Sequence, residues 1–294
     1  MSEDEFEVAP LPPLCFVDGQ HINIDTIETA VSVSVDRAMH GVGFTFFTLN
    51  LDHLCKRRQF DEFRACYEHA TFVSADGAPI VWLGRAVRAP LMRSTGADLL
   101  RPLVAEAARK GVSVYFFGTS NKAITKAIAI LKRDYPSLVI AGVESPPMGF
   151  DPQSAEASAA ADRIGASGAG LCFIALGAPR QEIFADLALK LAPTVGFVCV
   201  GAALDFLAGT QKRAPEFMAR NGLEWLWRLS LNPRRLFSRY FDSALMLLWL
   251  SLPWQFEVVM NARRLPSDQG HPWRSQSRPP LIQRAPLARR TDAH

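Results

Sequence analysis

Several side chains sit where short apolar runs give way to polar turns, and their types suit the handling of a proton and of phosphate. Asp76 lies in VSADGAPIVWLGR, with Gly77 behind it so that backbone or a ligand can come close. A carboxylate in such a place can take the proton of an attacking hydroxyl. The same residues also make an Asp-Gly turn in which Asp76 caps the next helix, and both readings stand. Arg93 lies in LMRSTGADLL, directly ahead of Ser94, Thr95 and a helical stretch. Arg beside a helix N-terminus makes a phosphate site, whereas a surface Arg next to a Thr-capped helix needs no ligand.

Other candidates follow the same rule of position. Thr48 and Asn50 close the run GFTFFTL. Gly118 opens GTSNKA, a generic place for phosphate or ribose that lacks the glycine spacing of a dinucleotide fingerprint and the GK[ST] of a P-loop. In GAPRQE, Pro179 explains a helix start. Nothing local asks for Arg-Gln-Glu there, so a polar ligand contact is expected of Gln181. GAALDFLAGTQKRAP holds Asp205 and Arg213, which provide either a second carboxylate in the cleft or, the favoured reading, a structural pair. Arg228, Arg234, Arg235 and Arg239 are interleaved with Trp225, Trp227, Phe237 and Tyr240. Basic residues among aromatics suit nucleic acid, a phosphate-bearing lipid interface or a solvated helix face.

The elements that must position these residues alternate. Apolar runs (GFTFFTL, TFVS, VSVYFF, SLVIAG, LCFIAL, VGFVCV) are separated by amphipathic stretches such as LDHLCKRRQFDEFRACYEHA, ADLLRPLVAEAARK and NKAITKAIAILKRDY. Strands apolar on both faces and alternating with helices predict an α/β fold, a Rossmann-like parallel sheet covered by helices. Ligands of such sheets bind outside the carboxyl ends of the strands, where the candidates stand.

The 294 residues suit one α/β catalytic domain, expected over residues 21–212, with a flexible acidic and Pro-rich stretch before it (1–20). That N-terminus has no basic segment leading into an apolar run, so no signal peptide is expected. Residues 1–212 carry 19 Lys+Arg against 23 Asp+Glu, whereas residues 213–239 carry six Arg against two Glu. A basic, apolar appendage is therefore expected over 213–260 and a disordered tail over 261–294. The appendage should meet something anionic. Its stretch ALMLLWLSLPWQFEVVM, broken by Pro253, Gln255 and Glu257, falls short of a membrane span and suits a helix lying in the interface. With the acidic body, this favours a lipid surface over nucleic acid. The five cysteines form no CxxC pair, which fits reduced thiols in a cytosolic protein. The scattered histidines and the lack of D-x-D or H-x-x-x-H leave no metal site to expect.

As a set, TLNLDHL (48–54), SADGAPIVWLGR (74–85), RSTGADLL (93–100), YFFGTSNKA (115–123), IALGAPRQE (174–182), VGAALDFLAGTQKRAP (200–215) and GLEWLWRL with NPRRLFSRY (222–240) resemble the WecG/TagA/CpsF family of bacterial glycosyltransferases. PRQE stands here where members typically read PKQE, and Leu49 where many have Pro; the polar positions are kept. The resemblance implies an inverting, metal-independent transferase that moves a hexose-type sugar from a UDP-sugar to a polyprenyl-diphosphate-linked acceptor in cell-surface polysaccharide synthesis. It would sit peripherally on the inner face of the cytoplasmic membrane, without nucleic acid and with room for a homo-oligomer. The resemblance implies Asp76 as base, with Thr48, Arg93 and Gln181 in the pocket. The arginines at 228, 234, 235 and 239 would hold the acceptor pyrophosphate. N-acetylmannosamine, its uronic acid and glucose all fit as the sugar. Another nucleotide-binding α/β enzyme and a non-enzymatic membrane-surface adaptor remain alternatives, because fold does not fix function.

Overall fold

The computed structural model describes residues 11–215, 217–218, 223–231, 233–252 and 283–284. Six strands make one sheet: β3 (Phe44–Leu49), β4 (Phe72–Ala75), β5 (Val114–Gly118), β6 (Ile140–Glu144), β7 (Leu171–Ala175) and β8 (Gly196–Cys199). Their spatial order is β4-β3-β8-β7-β5-β6, and every neighbouring pair is parallel. All carboxyl ends therefore share one edge.

The runs are apolar on both faces because both faces are covered. Phe47, Leu49, Val73, Ala75, Phe117, Ile174 and Cys199 point into one core, alternating with Phe46, Phe72, Phe116, Phe173 and Val198 in the other. The second core is closed by α1 (Ile27–Met39), α5 (Gly96–Lys110), α6 (Asn121–Asp134) and α9 (Ala203–Ala208). The first is closed by α2 (Leu51–Gln59), α3 (Asp61–Glu68), α4 (Ala78–Ala86), α7 (Ala155–Ala166) and α8 (Arg180–Leu191). Each fully buried Phe contributes on the order of 2 kcal/mol, so these two layers dominate what holds the strand ends in place. All five cysteines are unpaired, and burial pushes the Cys15 and Cys66 thiols up to about 12.

The N-terminal expectation needs correcting. Residues 1–10 lie outside the described residues, but β1 (Cys15–Val17) and β2 (Gln20–Ile22) form an antiparallel hairpin with Cys15, Val17 and Ile22 fully buried. Cys15 and Val17 turn into the core while Phe16 stays half-buried, and Gln20 Nε2 ties the hairpin down by donating to Tyr67 O at 3.1 Å. Within the tail expected to be disordered, β9 (Gln283–Arg284) pairs with β1; the remainder of 261–294 lies outside the described residues.

The C-terminal appendage holds α10 (Glu224–Leu231) and α11 (Pro233–Leu250). Met246 and Leu250 are buried in the first core beside α2, and the Arg58 guanidinium lies 4.4 Å above the Trp249 ring. The apolar stretch read as an interfacial helix is thus divided: up to Leu250 one side of it packs on the body, and residues 253–260 lie outside the described residues. The other side of α11 presents Phe237, Phe241, Leu245 and Leu248, each at least half exposed. Among the described residues no helix is long and apolar enough to cross a membrane.

Candidate active site

At the carboxyl edge, the turn after β3 and the turn after β4 are joined. Asp76 N donates to Leu49 O at 2.8 Å, and Asn50 Nδ2 donates to Asp76 Oδ2 at 3.2 Å. Asn50 also caps α2: its Oδ1 accepts from His53 N at 3.0 Å. That backbone N–H requires an oxygen, which turns the amide nitrogen toward Asp76. The helix cap and the orientation of the carboxylate are therefore set by one side chain. Asp76 makes no cap of its own, because Gly77 occupies the N-cap of α4 and no side chain accepts there. Thr48, one residue before the strand end, is buried, and its carbonyl accepts from the Tyr67 hydroxyl at 3.2 Å.

The loop carrying Arg93 is pinned beside this pair. Ser94 N donates to Ala75 O at 2.8 Å, and the Ser74 hydroxyl donates to Ser94 O at 2.9 Å. Gly96, at the start of α5, lies so close to β8 that an added Cβ would meet Val200 Cα at 2.7 Å, so a side chain there would push the helix off the strand end. Thr95 caps α5. Arg93 pairs with Asp98 at 3.1 Å and faces Glu224 of α10 at 3.7 Å; Arg213 also binds Asp98. Arg213 therefore does not pair with Asp205 as expected. Asp205 instead accepts from the Thr119 hydroxyl at 2.9 Å and the Thr210 hydroxyl at 2.9 Å, which tie the end of β5 to the turn after α9. Asp98 lies 115 residues from Arg213 in the sequence, so only the fold brings the two together. Asp98 is held in place by the Thr95 hydroxyl, which donates to it at 2.9 Å, while Asp205 is taken up by the two threonines.

Gly118 is the hinge of the β5 turn. Its φ of 117° excludes L side chains, and an added Cβ would meet Ala175 O at 2.5 Å. Gln181, expected as a ligand contact, is bonded within the protein at this edge. It is 4% exposed, and its Oε1 accepts from Gly177 N at 3.3 Å and Gly201 N at 3.1 Å, clamping the turns after β7 and β8. Its Nε2 donates to Glu182 Oε1 at 2.7 Å. Glu182, absent from the sequence candidates, is fully buried, and burial pushes its carboxyl up to about 7. A structural reason for Gln181 at that edge therefore exists, though the sequence does not signal it, because one of its two backbone partners, Gly201, comes from the turn after β8.

Asp98 and Glu224 were also missed; the T-x-x-D capping pattern at 95–98 was the available signal for the first. Arg234 is exposed on α11, whereas the side chains of Arg228, Arg235 and Arg239 lie outside the described residues. Among the described residues, no three His, Cys, Asp or Glu side chains gather as metal ligands.

A carboxylate oriented by an amide, an arginine beside a helix N-terminus and glycine turns thus gather at the carboxyl edge of a parallel sheet, where α/β enzymes bind their ligands. Residues 17–258 match the Glycosyl transferase WecG/TagA/CpsF family, and the chain belongs to that family; it is a glycosyltransferase. It is 30% identical over 236 residues, covering 78% of this chain and 85% of the relative, to an N-acetylglucosaminyldiphosphoundecaprenol N-acetyl-beta-D-mannosaminyltransferase of Bacillus spizizenii.

Proposed function

We propose that the enzyme transfers an N-acetylhexosamine, N-acetylmannosamine by analogy with the Bacillus relative, from a UDP-sugar to a polyprenyl-diphosphate-linked N-acetylglucosamine. The relative's name gives that sugar and that acceptor class. The observation that carries the reading is the Asn50–Asp76 pair at the strand edge, with the Arg93 loop bonded to the residue preceding Asp76.

In this reaction Asp76 takes the proton of the acceptor hydroxyl as its oxygen attacks the anomeric carbon from the face opposite the leaving group. The bond from that carbon to the diphosphate breaks, the configuration inverts, and UDP departs with the electron pair. Arg93, with Arg213 beside it, supplies positive charge for the departing diphosphate, and the N-terminus of α5 adds backbone N–H groups. Thr48 and the Gly118 turn border the same edge, and Asp205 braces that turn through Thr119. Gln181 serves the pocket by holding its floor rather than by touching ligand.

Metal independence belongs to the same reading, since arginines and helix N–H groups suffice for the leaving group. The apolar stripe on α11, with Arg234 on the same helix, suits an anionic membrane surface on which a lipid-linked acceptor is presented.

The test is a screen of UDP-sugars against a synthetic polyprenyl-diphosphate N-acetylglucosamine, with product read by mass and the whole screen repeated in EDTA. A product heavier by one N-acetylhexosamine, formed equally with and without EDTA, is expected. Transfer of a neutral hexose alone would overturn the sugar assignment, and loss of activity rescued by Mg²⁺ or Mn²⁺ would overturn the metal-free route.

A further inference from the structure

Arg93 stands between two carboxylates from different parts of the chain, one from the body and one from the C-terminal appendage. Asp98 belongs to the first turn of α5, and its Oδ2 accepts from the Thr95 hydroxyl at 2.9 Å while Arg213 binds its Oδ1. It cannot leave Arg93 without giving up the bond from the Thr95 hydroxyl and a second ion pair. Glu224 comes from the appendage, at the start of α10, and its Oε2 is 3.7 Å from Arg93 Nη1. That separation is an ion pair beyond hydrogen-bond length, so the contact is mainly Coulombic and exchangeable. The body contact of α10 from Trp227 Nε1 to Lys212 O is also long, at 3.4 Å.

The four side chains Arg93, Arg213, Asp98 and Glu224 balance in charge. A diphosphate that approaches Arg93 meets the negative charge of Glu224 on the guanidinium edge it needs. A guanidinium donates through paired N–H groups to phosphate oxygens as readily as to carboxylate, and the more highly charged diphosphate outcompetes a single carboxylate that makes no hydrogen bond there.

We propose that Glu224 is a positioning residue that docks the C-terminal helices onto Arg93 while the site is empty and gives up that guanidinium to a diphosphate oxygen when substrate enters. The inference rests on the glycosyltransferase reading of the site, and it makes the seating of the appendage and the binding of diphosphate compete for one arginine. The diphosphate is shared chemistry between the nucleotide donor and the lipid-linked acceptor.

The experiment measures binding by calorimetry at low ionic strength, using the full chain and two probes, UDP and farnesyl diphosphate. Glu224→Gln should tighten at least one probe by about twofold to tenfold, the range that a weakly screened exposed charge pair commands. The gain should shrink in high salt and vanish in an Arg93→Gln background. Tightening of UDP alone assigns the contact to the donor, and tightening of farnesyl diphosphate alone assigns it to the acceptor. Unchanged or weaker binding of both probes by Glu224→Gln and also by Glu224→Ala overturns the proposal and leaves Glu224 as a simple anchor. These titrations need no turnover. A chain that shows the contrast but transfers no N-acetylhexosamine to the lipid-linked acceptor sinks only the proposed donor and acceptor, and an active transferase without the contrast sinks only this inference.

Discussion

Asn50 donates its amide to Asp76 Oδ2 at 3.2 Å while its own oxygen is held by the His53 N–H of the following helix. The carboxylate assigned to proton removal is thereby aimed by a helix cap on the neighbouring strand. Such an arrangement fixes geometry without charge, and it separates the two roles that mutation can test.

Asp76→Asn keeps the shape and removes the basicity. Turnover is expected to fall by roughly 10²–10⁴-fold with donor binding and thermal unfolding nearly unchanged. Asn50→Ala should lose less activity but also about 1 kcal/mol of stability, because the α2 cap goes with it. Steady-state rates paired with melting curves separate the two, and an Asp76→Asn enzyme retaining more than about half its rate would remove Asp76 as the base.

Glu182 predicts a pH dependence of stability. Its carboxyl rises from an ordinary 4.5 to about 7 on burial, with Lys56 and Asp52 of α2 acting on it more weakly. The folded state holds the proton between those two values while the unfolded chain has released it. Stability from this group is therefore full below pH 4.5, is lost as pH climbs to about 7, and is flat above; the whole change is roughly 3 kcal/mol. Urea midpoints at pH 5 and pH 8 should differ more for the native chain than for Glu182→Gln. Equal differences in the two proteins would show that Glu182 titrates normally.

The outer stripe of α11 predicts the mode of membrane contact. Deleting the whole segment would also strip Met246 and Leu250 from the core, so a cleaner change is Phe237→Ser, Phe241→Ser, Leu245→Gln and Leu248→Gln together. This variant should melt like the native chain yet sediment far less with anionic liposomes. Equal sedimentation would assign the stripe to something other than lipid.

The arginines of the appendage predict a catalytic contribution separate from attachment. With a short-chain, water-soluble diphosphate acceptor, Arg228→Ala, Arg234→Ala, Arg235→Ala and Arg239→Ala are each expected to raise the acceptor KM or lower kcat, with smaller effects on donor binding. If all four variants match the native kinetics on that acceptor, these arginines only touch headgroups.

The parallel sheet was legible because its signal is local and repeated. Runs such as GFTFFTL and LCFIAL are apolar at every position, which only a strand covered on both sides requires, and the polar residues after them necessarily fall on one edge. That placed Thr48, Asn50, Asp76 and Gly118 at the edge from the sequence alone, while Arg93 was marked only by the helix start that follows it. The N-terminal hairpin escaped notice because three-residue strands carry too little pattern, and its seat depends on Gln20 meeting Tyr67, 47 residues away. Partnership also escaped: the Gly177 and Gly201 N–H groups that Gln181 satisfies converge only once β7 and β8 lie side by side. Arg213 likewise was paired with nearby Asp205, whereas the fold brings it to Asp98, 115 residues away. Side-chain type and strand periodicity are properties of neighbouring residues, so the sequence by itself determined the layers and the edge where chemistry sits. Which polar groups remain for substrate is a matter of hydrogen bonds between distant segments, and the tertiary structure alone decided that.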